Sequence, residues 1–394
     1  MSAPIFMTAF TATSALGAGL DATLEALQSG RSGLRANDFA AAPVDTWIGR
    51  VDGIEQESLP DELADYTCRN NQLAHLGLRQ DGFLEAVEQA RQRYGAQRVG
   101  VLLGTSTSGI FETEMAFRVY RAQGAWPDSL HYREQHNLFS LSDFVRRRLG
   151  LAGPSHVIST ACSSSAKVFA SAARLLRQNL CDAVLVGGVD TLALTTLYGF
   201  SALELVSARP CRPWDAARNG ISIGEAAGFA LLERRESDIR LAGYGESSDA
   251  YHMSTPHPQG RGAAQAMRAA LRRAQLAPEQ IDYINLHGTG TPSNDAAEDK
   301  AVLEVFGNAL PCSSTKGATG HTLGAAGIME AVISALCLRH GVIPGAGNTE
   351  QIDPQLQADF VRASRPAPLR HVLSNSFGFG GNNCSLLFAR EGAC

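Results

Sequence analysis

The sequence predicts a layered α/β fold, on three observations. Short apolar runs such as Val99–Leu103 and Ala183–Val189 read as buried strands, of the kind found in sheets covered by helices on both faces. Segments of helical periodicity alternate with such runs on both sides of a charged stretch at 233–238. The chain has 394 residues, 44% hydrophobic and 19% charged, which suffices for one large or two ordinary domains. No period of 20–50 residues repeats, so a solenoid is excluded.

Taken in order, residues 4–10 read as the first strand. Leu16–Leu27 read as an amphipathic helix with Leu16, Leu20, Leu24 and Leu27 on one face. Residues 36–66 lack clear periodicity and read as loop, and 68–93 as helical. The strand 99–103 opens into the small polar loop Gly104-Thr-Ser-Thr-Ser-Gly109, and Arg146-Arg147-Arg148 form a basic turn. Val157, Ile158 and Thr160 read as a buried strand that runs into Cys162, after which apolar residues continue at helical spacing to Leu180. Ala183–Val189 reads as a strand of parallel type, and 198–227 as a short helix with a loop. Phe229–Leu232 is a further strand, and Glu233–Asp238 a surface connection dividing the chain into 1–237 and 238–394. Beyond it come strand 239–245, helix 261–276, strand 281–287, helix 295–306, strand 311–315, helix 321–340, and strands 371–377 and 384–389. Leu103-Gly-Thr-Ser-Thr in one half and Leu286-His-Gly-Thr-Gly-Thr in the other hint at duplication.

Composition narrows the function. A formal net charge of −5 gives no global attraction to nucleic acid or to an anionic membrane. Lys167, Lys300 and Lys316 are the only lysines among 34 basic residues, so a lysine inside a motif carries weight. The eight cysteines form no CxxC pair and no metal-spaced cluster with histidine, so no metal site is expected. No signal peptide and no apolar run of bilayer-spanning length is apparent. The expected setting is a reducing cytoplasm with free thiols.

Four motifs carry the chemistry. In Thr160-Ala-Cys162-Ser-Ser, a cysteine at a strand-to-helix junction meets free N–H groups and the positive helix end, which favours the nucleophilic thiolate. The others are His287-Gly-Thr289-Gly-Thr291-Pro292, Lys316-x4-His321 followed by Gly-Ala-Ala-Gly, and Asn375-Ser-Phe-Gly378-Phe379-Gly-Gly. Their glycines let backbone approach a ligand closely. A phosphate cradle is disfavoured, because neither GxxxxGK[ST] nor a strand-to-helix GxGxxG is present. Glycine-flanked histidines can instead donate to a developing oxyanion or enolate, which suits a cysteine holding an acyl group as thioester. His156, His252 and His257 read as structural, as do Cys68, Cys181, Cys211, Cys312, Cys337 and Cys394.

Together these motifs, in register over nearly the whole chain, resemble the elongating β-ketoacyl-acyl carrier protein synthases of fatty acid and polyketide synthesis. The resemblance implies a thiolase-type fold, two similar halves in a five-layer αβαβα sandwich, usually dimeric. It implies Cys162 as acyl acceptor and the N–H groups of Cys162 and Phe379 as oxyanion hole, with Phe379 also a gate. His287 and His321 would stabilise the carbanion left by decarboxylation, oriented by Lys316 and supported by Glu298. Thr289 and Thr291 would contact the phosphopantetheine arm of an acyl carrier protein, and Thr107 would border the acyl pocket. No nucleotide, flavin or metal is implied.

Asn382-Asn383, Asn219-Gly-Ile-Ser222 and Thr107 depart from the housekeeping pattern and look closer to synthases of aryl polyene pathways. Arg212 and Arg146–Arg148 are candidates for docking an acidic carrier, the latter equally well a solvated helix end. Three rivals remain: a thiolase with Cys384 as second cysteine, a non-catalytic chain-length factor, and an initiating synthase. The packing of Cys384 in a strand-like run argues against the first. The intact Cys162 and histidines argue against the second, and His321 against the third.

Overall fold

One topology is used twice. The computed structural model describes residues 3–392, so Cys394 lies outside the described residues. The first half supplies β1 (Phe6–Ser14), β2 (Val99–Gly104), β3 (Ser155–Ile158), β4 (Ala183–Asp190) and β5 (Ala226–Glu233). These lie in the order β3-β2-β4-β5-β1. The second half supplies β6 (Ile239–Ser248), β7 (Tyr283–Asn285), β8 (Cys312–Ser313), β9 (His371–Gly378) and β10 (Asn382–Arg390), in the order β8-β7-β9-β10-β6. Counted within its own half, each sheet reads third, second, fourth, fifth, first. Strand directions repeat as well: the second strand is parallel to the third and fourth, and the fifth is antiparallel to the fourth and first. The sheets join edge to edge, with Phe6 opposite Arg240 and Met7 opposite Ile239.

The helices in chain order are α1 (Leu20–Ser29), α2 (Arg69–Leu78), α3 (Phe83–Tyr94), α4 (Ile110–Gln123), α5 (Ser140–Arg148), α6 (Ser164–Arg177), α7 (Leu194–Ala202), α8 (Arg261–Ala274), α9 (Pro292–Phe306), α10 (Lys316–Thr319) and α11 (Ala326–His340). Leu73, Phe83, Val87 and Phe144 of α2, α3 and α5 cover the outer face of the first sheet. Met267, Leu271, Ala301 and Val302 of α8 and α9 cover the outer face of the second. Between the sheets lie α6 and α11, and all residues of α11 from Ala326 to Leu338 are buried. The result is the five-layer αβαβα sandwich of the thiolase-type fold. A helix apolar on every side belongs inside a large core. The segment Leu323–His340 thus has the length and mean hydropathy (1.3) of a membrane span, yet 89% of it is buried within the fold. A side chain at Gly327 would collide with the Ala166 backbone, so small residues set the close approach of α6 and α11.

Several elements depart from the sequence expectation for local reasons. The first helix begins at Leu20 rather than Leu16, because Gly17 and Gly19 adopt positive φ and Gly17–Ala18 pair back on β1. The 68–93 region is two helices, broken where Asp81 and Gly82 take left-handed backbone. Arg146–Arg148 are the last turn of α5 rather than a separate turn, where basic residues complement the helix dipole. The strand 183–190 is parallel to β2 but antiparallel to β5. Glu233 is not surface connection: it is fully buried, accepting from Tyr94 Oη at 3.0 Å and Arg93 at 3.2 Å. The strand before Cys162 is not buried either. β3 is the sheet's outer strand, with His156 exposed and Val157 and Ile158 only half-buried.

Candidate active site

Cys162 stands on a sharp elbow between β3 and α6. Ala161 holds φ +52°, a region that non-glycine residues rarely occupy. Ser164 closes the turn, its N–H donating to the Ala161 carbonyl at 3.1 Å and its Oγ accepting from the Thr160 N–H at 2.9 Å. Gly378 packs against this elbow, and a Cβ there would lie 2.7 Å from the Thr160 carbonyl oxygen. Phe379, the residue after Gly378, lines the same cleft as Cys162. The expectation that the helix end favours thiolate is corrected by burial. Cys162 is 6% exposed, and desolvation pushes its thiol up to about 11 although the Lys316 charge and the backbone dipoles of Phe379 and Cys162 pull the other way. A helix end contributes at most ~2 kcal/mol, and loss of water outweighs it here.

The second half brings two imidazoles to this sulfur. His321 Nε2 lies 3.0 Å from Cys162 Sγ, and its Nδ1 accepts from the Leu323 N–H at 3.2 Å. A neutral ring accepting at Nδ1 carries its proton on Nε2, so His321 donates toward the sulfur. His287 is held alike: Lys316 Nζ lies 3.3 Å from its Nδ1 and also donates to its carbonyl. The rings stand edge to face with centroids 5.4 Å apart. Burial, then the Lys316 charge, lowers both imidazoles well below their ordinary pKa, and His321 lowers His287 further. Both are therefore neutral Nε2–H donors at neutral pH.

Around this pair lies a buried polar frame. Glu298 accepts from the His287 and Gly288 N–H groups at 2.8 Å each and from Asn375 Nδ2 at 3.1 Å. Burial raises its carboxyl to about 7 against those three donors. Lys316 is ion-paired to Glu330 of α11, whose other oxygen accepts from Ser376 Oγ at 3.2 Å. Sequence reasoning missed Glu330. The available signal was a single carboxylate within the apolar Ile328-Met-Glu-Ala-Val-Ile333, because a buried charge demands a partner.

Cys162, His287, His321 and Phe379 line one cleft, together with Thr289, Thr291, Phe200, Leu205 and Ile221. Phe379 is half-buried with its ring 5.6 Å from Phe200. Thr289 and Thr291 bond to each other at 2.9 Å. Thr107 is not among the lining residues, because its N–H and hydroxyl both bond to the buried Asp190. Nor are Arg212 and Arg146–Arg148. Arg212 lies beside Gly290, but only 13% of its side chain is exposed and it faces Asp215 at 3.8 Å. Arg146 and Arg147 are both paired to Asp143, while Arg148 Nε is buried without a partner among the described residues. Cys384 is buried in β10 with its thiol pushed far up, remote from a second catalytic role. The Cys162 sulfur and a nitrogen from each imidazole lie within 4.8 Å of one another, a set of metal-ligand type. The Lys316 ammonium against His287 opposes a second cation there.

Comparison with known proteins is consistent along the whole chain. Residues 2–238 match the beta-ketoacyl synthase N-terminal domain and 239–350 the beta-ketoacyl synthase C-terminal domain. The chain is 37% identical to 3-oxoacyl-[acyl-carrier-protein] synthase 2 of Coxiella burnetii, over 77% of this chain and 81% of that protein. It is 32% identical to the enzyme of that name from Vibrio cholerae, over 98% and 99% respectively. Among solved structures it is similar to a ketosynthase, ApeO, in complex with its chain length factor, ApeC, from Xenorhabdus doucetiae. There the identity is 41%, with 98% of each chain covered and a TM-score of 0.91. The ishigamide ketosynthase/chain length factor is 26% identical over the full length of both chains, with a TM-score of 0.90.

Proposed function

The chain belongs to the β-ketoacyl synthase family, and on that premise we propose that it is a β-ketoacyl-[acyl-carrier-protein] synthase whose catalytic residues are Cys162, His287, His321 and Lys316. The observation that carries the assignment of residues is the placement of two neutral Nε2–H donors around a buried cysteine sulfur. In the first step the sulfur attacks the thioester of an acyl carrier protein. The acyl carbon–sulfur bond to the phosphopantetheine arm breaks, the Cys162 thioester forms, and the thiol proton leaves with the arm. Donation from His321 stabilises the negative sulfur at the moment of attack, which a resting thiol titrating at about 11 requires.

In the second step malonyl thioester loses carbon dioxide, and its electron pair delocalises onto the thioester oxygen. The Nε2–H groups of His287 and His321 hold that oxygen. The carbanion attacks the Cys162 thioester, and the N–H groups of Cys162 and Phe379 receive the tetrahedral oxyanion, each such donor contributing roughly 2.7–4 kcal/mol. Collapse expels the Cys162 sulfur, which takes a proton from water, and the product is two carbons longer. Lys316 keeps the His287 proton on Nε2, Glu298 fixes the loop bearing His287, and Thr289 and Thr291 receive the phosphopantetheine arm. The arm comes with the carrier protein, and no step uses a nucleotide, flavin or metal.

We divide the chain at 237/238, where the strand order starts its second round, and place the reaction in the cytoplasm. Phe379 is assigned the gate, its half-exposed ring resting on Phe200. A ketosynthase-type partner, a second copy or a chain length factor, is assigned to the face around β3. Among the described residues no further strand pairs with its outer edge, and such an edge is a template for pairing with another chain. The carrier-docking role of Arg212 is retained for its place beside the Thr289–Thr291 loop. Intact-protein mass after exposure to saturated, polyenoic and aryl-polyenoic carrier thioesters, with Cys162→Ala as control, tests the reading. An acyl adduct absent from the variant is the expected result. The absence of any adduct, alone or with a co-expressed partner, overturns it.

A further inference from the structure

The reacting pair is assembled from two halves of the chain, Cys162 from the first and His321 from the second. Each partner is preceded or followed by a strained residue. Ala161 and Leu323 both hold φ +52°, although neither is glycine. Such conformations persist only where the surroundings over-determine them. The Leu323 N–H is also the donor that fixes the His321 tautomer. Whatever holds this backbone holds the catalytic geometry.

Behind both lies Asp190, at the end of β4 and fully buried. One carboxylate oxygen accepts from Thr105 Oγ1 at 2.7 Å and from the N–H and hydroxyl of Thr107 at 2.8 and 2.7 Å. The Ser106 N–H is shared between both oxygens at 2.9 and 3.0 Å. The other oxygen accepts from the Gly324 N–H at 2.6 Å, across the boundary between the halves. Ser106 Oγ reaches on to the Ala161 carbonyl at 3.4 Å. None of these donors is charged. The carboxylate is thus a knot of neutral hydrogen bonds, with the Cys162 elbow on one side and the His321 turn on the other. An amide in its place would turn an NH2 group toward a donor on one of the two sides, leaving that group unsatisfied.

We propose that Asp190 is a positioning residue for the condensation, fixing the Leu323–Gly324 turn against the Thr105–Thr107 loop and so holding His321 at hydrogen-bond distance from Cys162. This rests on the catalytic roles assigned above to Cys162 and His321. Gly324 is the complementary element, since a Cβ there would lie 2.7 Å from Asp190 Oδ2 and 2.8 Å from Ser106 Oγ.

The test is Asp190→Asn and Gly324→Ala in the full enzyme with whatever partner it requires. The readout is steady-state condensation normalised to the fraction of Cys162 that accepts an acyl group by mass. A misplacement on the order of 1 Å is worth about 100-fold. The expected result is a kcat per loaded site lowered about 10- to 100-fold in both variants, with KM for the malonyl thioester within about twofold of wild type. Activity that falls only in proportion to the loadable fraction overturns the proposal, as does wild-type kcat per loaded site in Gly324→Ala. Failure of both variants to fold also overturns it, by assigning Asp190 to stability. If wild-type protein itself takes no acyl group, it is the assigned reaction that fails, and the positioning role with it.

Discussion

Equivalent loops of the two halves sit on equivalent strands and are put to opposite use. After the second strand of the first half, Thr105 and Thr107 turn their hydroxyls inward onto Asp190. After the second strand of the second half, the Thr289 and Thr291 hydroxyls bond to each other and both residues line the cleft beside His287. The fourth strands explain the contrast. β4 ends in a buried carboxylate, whereas β9 ends at Gly378, which packs against the Cys162 elbow. The third strands complete the division, β3 delivering Cys162 and β8 delivering Lys316 and His321. A repeated scaffold supplies the positions, and the presence or absence of a buried partner decides which side chains stay free for substrate.

The largest effects should come from the residue that only the first half provides. Cys162→Ala is expected to lower condensation at least about 1,000-fold by product assay, as for other covalent nucleophiles. Residual turnover within tenfold of wild type would remove the thiol from the mechanism. Its reactivity should also climb steeply with pH. A thiol titrating at about 11 gains roughly tenfold in thiolate per pH unit between pH 7 and 10, so iodoacetamide modification of Cys162 should rise in step and show no plateau. A plateau near pH 8.5, the ordinary thiol range, would show that burial does not govern it.

On the other half, Lys316→Ala strands Glu330 unpaired in the core. Breaking a buried pair by removing one partner costs about 3–5 kcal/mol, readable as a lower denaturant midpoint. An unchanged midpoint would mean that water already screens the pair. Glu298→Gln turns an amide NH2 toward the His287 or Gly288 N–H, with an expected loss of about 1–3 kcal/mol in stability and a lowered kcat. The matched threonines test the contrast most finely. Thr107→Val should cost about 1 kcal/mol of stability without raising KM, whereas Thr289→Val, which also gives up one hydrogen bond, should raise KM for carrier thioesters. The reverse pattern would mean that the first-half loop, not the second, meets substrate.

The reactive residues were legible because each stands where a strand gives way to a helix, Cys162 among small polar residues and the two histidines in glycine-rich loops. Their partners were less so. Glu330 is hidden in an apolar helix and is recognisable only as a charge needing company. Thr107 looks available until the distant Asp190, 83 residues away in sequence, is brought beside it. The protonation of Cys162 depends on the water excluded by four loops, a tertiary property that a local helix-end argument misses. Likewise the β-branched residues of β3 signal a strand without showing that it lies at an edge. The duplication was faint in sequence, carried by two loops, but it is plain in strand order because hydrogen-bonding topology persists where side chains diverge.

The division of labour between the halves is tested most directly by separating the two half-reactions in His287→Ala. Acyl loading of Cys162 would be followed by intact mass, and carbon dioxide release from malonyl carrier thioester in the same preparation. The account predicts loading at close to the wild-type extent and decarboxylation reduced by about 100-fold or more, since His287 donates only to the enolate oxygen. Loss of loading with decarboxylation retained would contradict it.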